Sequence, residues 1–230
     1  LNEVMQELES MGNENTKKVL LKHGAREPFF GVKVADLKKI VKKVKKNHEL
    51  SLELYATGNS DAMYLAGLIA DEKQIAKETL EEWAKKAGWS MIAEYTVPWI
   101  ASESPHGMEL GLKWIESDDE MVCACGWSTL ANVTTITPDA QLDIDKFSAL
   151  LDRAAAVQSE ERQRVRYTMN GFLITVGCSV EALKEKALNL GTDVGKVKVD
   201  MGGTACKVPV ITDYIKKVEK MGRIGKKKKM

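Results

Sequence analysis

The chain has 230 residues, of which 44% are hydrophobic and 29% charged, with 34 lysines and arginines set against 33 aspartates and glutamates. This balance excludes a disordered polyelectrolyte and a protein that binds nucleic acid by bulk charge, and the length is enough to bury a large core. The longest apolar runs, such as Tyr64 to Ala70 and Gly171 to Gly177, fall far short of the roughly 20 residues of a membrane span, so no membrane crossing is expected.

Apolar residues recur at three and four along most of the chain, with five prolines in all and almost no period-two alternation, which predicts an all-α protein. The first helices are expected at Asn2 to Met11 and Glu14 to His23, ending at Gly24-Ala25-Arg26-Glu27-Pro28, a breaker sequence followed by Phe29 and Phe30. Val34 to Lys46 places Leu37, Ile40, Val41 and Val44 on one face and lysines on the others, the pattern of a surface helix. Further helices are predicted over Ser51 to Thr57, Ser60 to Ala70, Glu72 to Ala87, Trp89 to Ser102 and His106 to Ile115. Others follow over Asp119 to Val133, Ile144 to Val157, Glu160 to Val176, Val180 to Leu190 and Thr212 to Met221. Ser60 and Ser117-Asp118 are the candidate caps.

Gly67, Gly126 and Gly171 each sit beside small residues and precede an apolar run. A mid-helix glycine costs about 1 kcal/mol against alanine, so their recurrence points to close helix approach. Their spacing is of the order of the helix-pair repeat of HEAT and armadillo solenoids, and predicts degenerate repeats stacked into an α-α superhelix. One domain is expected over residues 1–222. Within it, 191–210 breaks the helical pattern: Val194, Val197 and Val199 lead to Gly202-Gly203, as in a small hairpin or an extended arm. Residues 223–230, with Lys226 to Lys229, are expected to form a disordered basic tail.

The four cysteines, Cys123, Cys125, Cys178 and Cys206, and an N-terminus without the basic and apolar regions of a secretory signal point to the cytoplasm. Cys123 and Cys125 lack the spacing of a zinc site, and with only His23, His48 and His106 available no metal and no cofactor is expected. Cys123 and Cys125 read as small buried thiols.

The string His23-Gly24-Ala25-Arg26-Glu27-Pro28-Phe29-Phe30-Gly31-Val32, followed by Asp36-Leu37-Lys38-Lys39-Ile40, resembles the opening of the DNA alkylation repair family, the AlkD-like HEAT-repeat proteins. The helix from Asp61-Ala62-Met63-Tyr64 to Asp71 resembles that family's next segment. The resemblance implies duplex DNA, alkylated in the active members, as partner. It also implies a concave basic cleft that grips the lesion-bearing backbone without flipping the base, unlike most glycosylases. In that family an aspartate favours the oxocarbenium-like sugar, an arginine grips phosphate, and tryptophans pack along the deoxyribose.

Carried over residue by residue, the first cleft tryptophan falls on Trp89. The aspartate position, four residues on, is Ala93, with Glu94 next to it; on an ideal helix that one-residue shift turns a side chain by about 100°. The arginine position falls within Cys123-Ala124-Cys125-Gly126, and Gly171-Phe172 replaces a Gly-Trp pair. Methyl cannot supply the electrostatic stabilisation of a carboxylate, often worth several kcal/mol. The chain is therefore expected to bind DNA through Trp89, Tyr95, Trp127, Phe172 and the Arg162/Arg164/Arg166 cluster, with little or no glycosylase activity. An active alkylpurine glycosylase with Glu94 as a shifted catalytic carboxylate is the alternative, and a HEAT-repeat scaffold for a protein partner is the third reading.

Overall fold

The computed structural model describes residues 1–228 and, among them, folds into helices with no strand. The N-terminal part contains α1 (Asn2–Ser10), α2 (Glu14–Lys22), α3 (Val34–Val44), α4 (His48–Ala56), α5 (Ser60–Ile69) and α6 (Lys77–Lys86). A π-helical turn, Ile92–Thr96, runs into α7 (Val97–Glu103), followed by α8 (Gly107–Trp114) and α9 (Glu120–Ile136). The chain closes with α10 (Ile144–Val157), α11 (Gln163–Ser179), α12 (Lys184–Val194) and α13 (Ile211–Lys220). Two caps lie one residue from the expected ones: Asn59 accepts the Asp61 and Ala62 amides, and Asp119 accepts those of Met121 and Val122. An asparagine or aspartate oxygen satisfies two of the orphan amides at each start.

Successive helices pack as pairs, α4 on α5, α8 on α9 and α10 with α12 on α11, while α5, the π turn with α7, α9 and α11 form an adjoining inner row. This is the HEAT-like stack expected from the glycine spacing and from the family resemblance. Two clusters of buried side chains run along it and meet at α9, which gives Val122 and Cys125 to the first and Cys123, Trp127 and Leu130 to the second. The inner row is close-packed because small residues sit where helices meet. A Cβ on Gly67 would come within 2.4 Å of Thr96 Cγ2, and one on Gly126 within 2.6 Å of the Ile115 backbone nitrogen.

The segment Trp89 to Ser102, expected as one helix, is broken in character by Pro98. Proline has no N–H to give to Glu94, and its ring crowds that carbonyl. The ladder widens there instead: the Val97 amide donates to the Ile92 carbonyl five residues back. The extra residue in this turn invalidates ideal-helix counting from Trp89, and it occurs where Ala93 and Glu94 lie. The helix expected from Glu72 begins only at Lys77, because Asp71 holds a tight turn through its contacts with the Lys73 amide and the Gln74 side chain.

Of the segment expected as a hairpin or arm, residues 191–194 complete α12, and 195–210 form an irregular strap. The strap is held by side chains of α11: the Asp200 amide donates to Gln163 Oε1 at 2.5 Å, Arg166 donates to the Lys198 carbonyl at 3.1 Å, and Asn170 to the Pro209 carbonyl at 3.0 Å. At its tip Gly202 passes so close to the Lys22 carbonyl that a Cβ would sit 2.4 Å from it. Residues 223–228 of the basic tail, expected to be disordered, are docked. The Gly225 and Lys228 amides donate to Cys178 and Thr135 carbonyls, and the Lys227 ammonium meets the Thr134 and Ser179 carbonyls and lies 2.6 Å from Asp139 Oδ1. The expected disorder of 229–230 lies outside the described residues.

Candidate nucleic-acid interface

The strap roofs one side of an open cleft of about 910 Å³. Lys22, Arg26, Trp89, Tyr95, Arg162 and Tyr167 line it, and Gly202 and Cys206 line it from the strap. Lys22 and Arg26 are exposed, and Tyr95 is 38% exposed. Trp89 presents an edge only, being 6% exposed, with its indole N–H donated to the His23 carbonyl at 3.0 Å. The cleft thus combines cationic side chains with aromatic rings, the pairing by which proteins hold a phosphate backbone and stack on its bases or sugars.

Glu94 lies beneath this surface, its side chain 2% exposed. Arg164 of α11 engages both of its carboxylate oxygens, Nε to Oε1 at 2.5 Å and Nη2 to Oε2 at 2.6 Å. The same guanidinium stacks 4.5 Å from the centre of the Tyr167 ring, and the Arg164 amide donates to Glu120 Oε1. Burial pushes the Glu94 carboxyl above its ordinary value, and the hydrogen bonds and charge of Arg164 pull against that push. Burial also opposes the Arg164 charge, but Glu94 outweighs it and holds the guanidinium above its ordinary value. A guanidinium keeps its proton at any working pH, so the arrangement is a buried, bidentate ion pair. Tyr95, next to Glu94, has its phenol raised by burial and then by the neighbouring Tyr167 and Glu94.

The residues expected to touch DNA divide into three groups. Trp89, Tyr95 and Arg164 come together at the cleft. Trp127 and Phe172 do not: each is 0% exposed, and they pack edge to face, ring centres 5.1 Å apart, in the second core cluster. Large aromatics on the inner side of an inner-row helix are taken by the core. Arg162 reaches the cleft wall already engaged with the Ser117 and Asp118 carbonyls ahead of α9, and Arg166 lies outside the cleft, bonded to the strap. Sequence reasoning passed over Lys22, Arg26, Tyr167 and the strap. Tyr167 was legible in part, since it follows Arg164 by three residues, one helical turn; the strap gave no signal of where it would lie.

Cys123 and Cys125 are buried thiols, and among the described residues no group of three or more His, Cys, Asp or Glu side chains is placed to hold a metal ion. No helix among them is long and apolar enough to cross a membrane.

Comparison with known proteins adds three findings. The family described as DNA alkylation repair enzyme matches residues 4–199. Two Listeria proteins, Lin0241 of Listeria innocua and Lmo0209 of Listeria monocytogenes, are each 37% identical over 217 residues, which cover 92% of this chain and 93% of theirs. A solved structure, described as a new family of proteins related to the HEAT-like repeat DNA glycosylases with affinity for branched DNA structures, matches at 38% identity and a TM-score of 0.91. That match covers 100% of this chain and 97% of the solved one. With a matching helical stack, a profile that spans most of the sequence and the motif at 23–32, this chain belongs to the DNA alkylation repair enzyme family.

Proposed function

We propose that the protein binds DNA through the cleft beneath the strap and that it recognises structured or damaged DNA without excising alkylated purines. The Glu94–Arg164 pair carries this reading. A carboxylate that promotes loss of a base must aim its charge at the cation developing on the sugar. Here both oxygens of the one carboxylate near the family position are engaged by a guanidinium that neutralises it, and the position itself is Ala93, which is fully buried. The cationic and aromatic lining of the cleft supports DNA contact without that chemistry. The solved relative described by affinity for branched DNA supports the same class of ligand.

The test is binding to a linear duplex, to the same duplex with one 7-methylguanine, and to a four-way junction across a salt series, with base release followed in the same samples. Binding should weaken steeply as salt rises, because phosphate contacts release counterions. It should be tightest for the junction or the methylated duplex, and no free base should form. Release of 7-methylguanine that is lost in Glu94→Gln would replace this reading with a glycosylase using a shifted carboxylate. No binding at low salt would remove DNA as the partner.

A further inference from the structure

Beside the cleft lies a second hollow of about 400 Å³ between the π turn with α7 and the facing helices α9 and α11. Its size is within the ~300–1,000 Å³ of small-ligand sites. Tyr95, Trp99 and Tyr167 give it aromatic walls, with the Tyr95 and Trp99 rings edge to face at 6.1 Å. Asn170, 1% exposed, lines it as well; its Nδ2 is used on the Pro209 carbonyl of the strap, and its Oδ1 is buried without a hydrogen-bond partner. Lys228 lines it from the tail, fixed by its own amide on the Thr135 carbonyl and by the anchored Lys227 before it.

Gly171 belongs to the same lining and is the odd one among the helix-interior glycines. A Cβ on Gly67, Gly111, Gly126, Gly177 or Gly191 would meet a neighbour at 2.4 to 2.8 Å, whereas one on Gly171 would have nothing within 4 Å. Close packing explains the first five. It does not explain a residue that weakens α11 in open space, and a hollow kept clear does.

We infer that this hollow receives a single unstacked nucleobase of the bound DNA. The π face of the base lies against Tyr95 and Tyr167, as bases stack on aromatic side chains in single-strand sites. An exocyclic amino or ring N–H group on its edge supplies the donor that Asn170 Oδ1 lacks, and the flanking phosphate falls to Lys228. The inference rests on the DNA-binding reading above and departs from the backbone-only grip that the family resemblance implies, since it requires the base to leave the stack.

Fluorescence anisotropy with two bulged duplexes tests it: one with a single unpaired adenine, the other with a tetrahydrofuran abasic analogue at the same place. The native protein should bind the adenine bulge roughly tenfold more tightly, the worth of one stacked base. Gly171→Leu starts from a Cβ with nothing within 4 Å and extends into the hollow; thermal unfolding checks that the fold is kept, and the variant should collapse the difference between the two duplexes. Equal affinity of the native protein for both, or a preference that survives Gly171→Leu, overturns base capture and leaves the DNA-binding reading standing. Absence of binding to either duplex at low salt overturns both.

Discussion

The Phe30 amide donates a 2.6 Å hydrogen bond to Asp61 Oδ2, across 31 positions of sequence, and the Gly31 and Val32 amides reach the same carboxylate at 2.9 and 3.2 Å. Asp61 is 5% exposed at the start of α5, so three buried backbone donors depend on one side chain. A buried donor left without an acceptor costs about 1–3 kcal/mol. Asp61→Ala should therefore lower the unfolding free energy by at least about 3 kcal/mol, and Asp61→Asn, which keeps one acceptor oxygen, by about half that. Urea unfolding of the two variants decides it; a loss below about 1 kcal/mol for the alanine would mean that water takes over the three amides.

That carboxylate also explains why the opening of the chain was the most legible part of the sequence. The string at 23–32 and the helix segment from Asp61 carried the family resemblance separately, and in the structure they are one unit: a loop whose amides are spent on the start of α5, two helices further on. The helices themselves were legible because burial on one face imposes a 3.6-residue period. Elements made by distant partners were not. Arg164 read as a candidate phosphate ligand because nothing local reveals that Glu94 faces it. Lys227 read as part of a frayed end because its acceptors are helix-end carbonyls of α9 and α11. Pro98 lies inside a segment expected as one helix, and whether a proline ends a helix or widens it depends on what packs around it.

The Glu94–Arg164 pair makes an asymmetric prediction. Removing one partner of a buried ion pair strands the other charge, at a cost of about 3–5 kcal/mol, whereas replacing both by apolar side chains is close to neutral. Arg164→Met should be strongly destabilising, and the double variant Glu94→Leu/Arg164→Met should recover most of that loss. A double variant no more stable than Arg164→Met alone would show that the pair is held by its surroundings, the Tyr167 ring and Glu120, and not by mutual neutralisation.

Two glycines that look alike in sequence should respond in opposite ways. Gly67→Ala drives a methyl into Thr96, an overpacking that costs about 1–3 kcal/mol. Gly171→Ala meets nothing and gains helix propensity, about 1 kcal/mol at most. Thermal unfolding should show the midpoint falling for the first and rising for the second; a fall for Gly171→Ala would indicate a backbone conformation there that a side chain disturbs.

The docked tail predicts a protease result. Lys227 joins Asp139 to the carbonyls of Thr134 and Ser179, so trypsin should cut slowly after it in the native protein. Asp139→Asn removes the charge partner and should raise the rate of cleavage at Lys226 to Lys228 several-fold while leaving global unfolding within about 1 kcal/mol of the native value. Equal cleavage rates would mean that the two carbonyls alone hold the ammonium.

Cysteine reactivity offers a readout of the cleft itself. Burial pushes the Cys123 and Cys178 thiols up to about 11 and the Cys125 thiol further still. The thiolate is the reactive form, so near pH 8 these three are almost wholly protonated as well as shielded, and their alkylation should become appreciable only as the pH approaches 11. Cys206 is exposed on the strap and lines the cleft. Iodoacetamide at pH 8 should add a single label, at Cys206, by intact mass and peptide mapping. Saturating DNA should then slow that labelling several-fold, because a backbone lying under the strap covers the thiol. Undiminished labelling by DNA that is demonstrably bound would place the nucleic acid on another face and leave the cleft without its assigned ligand.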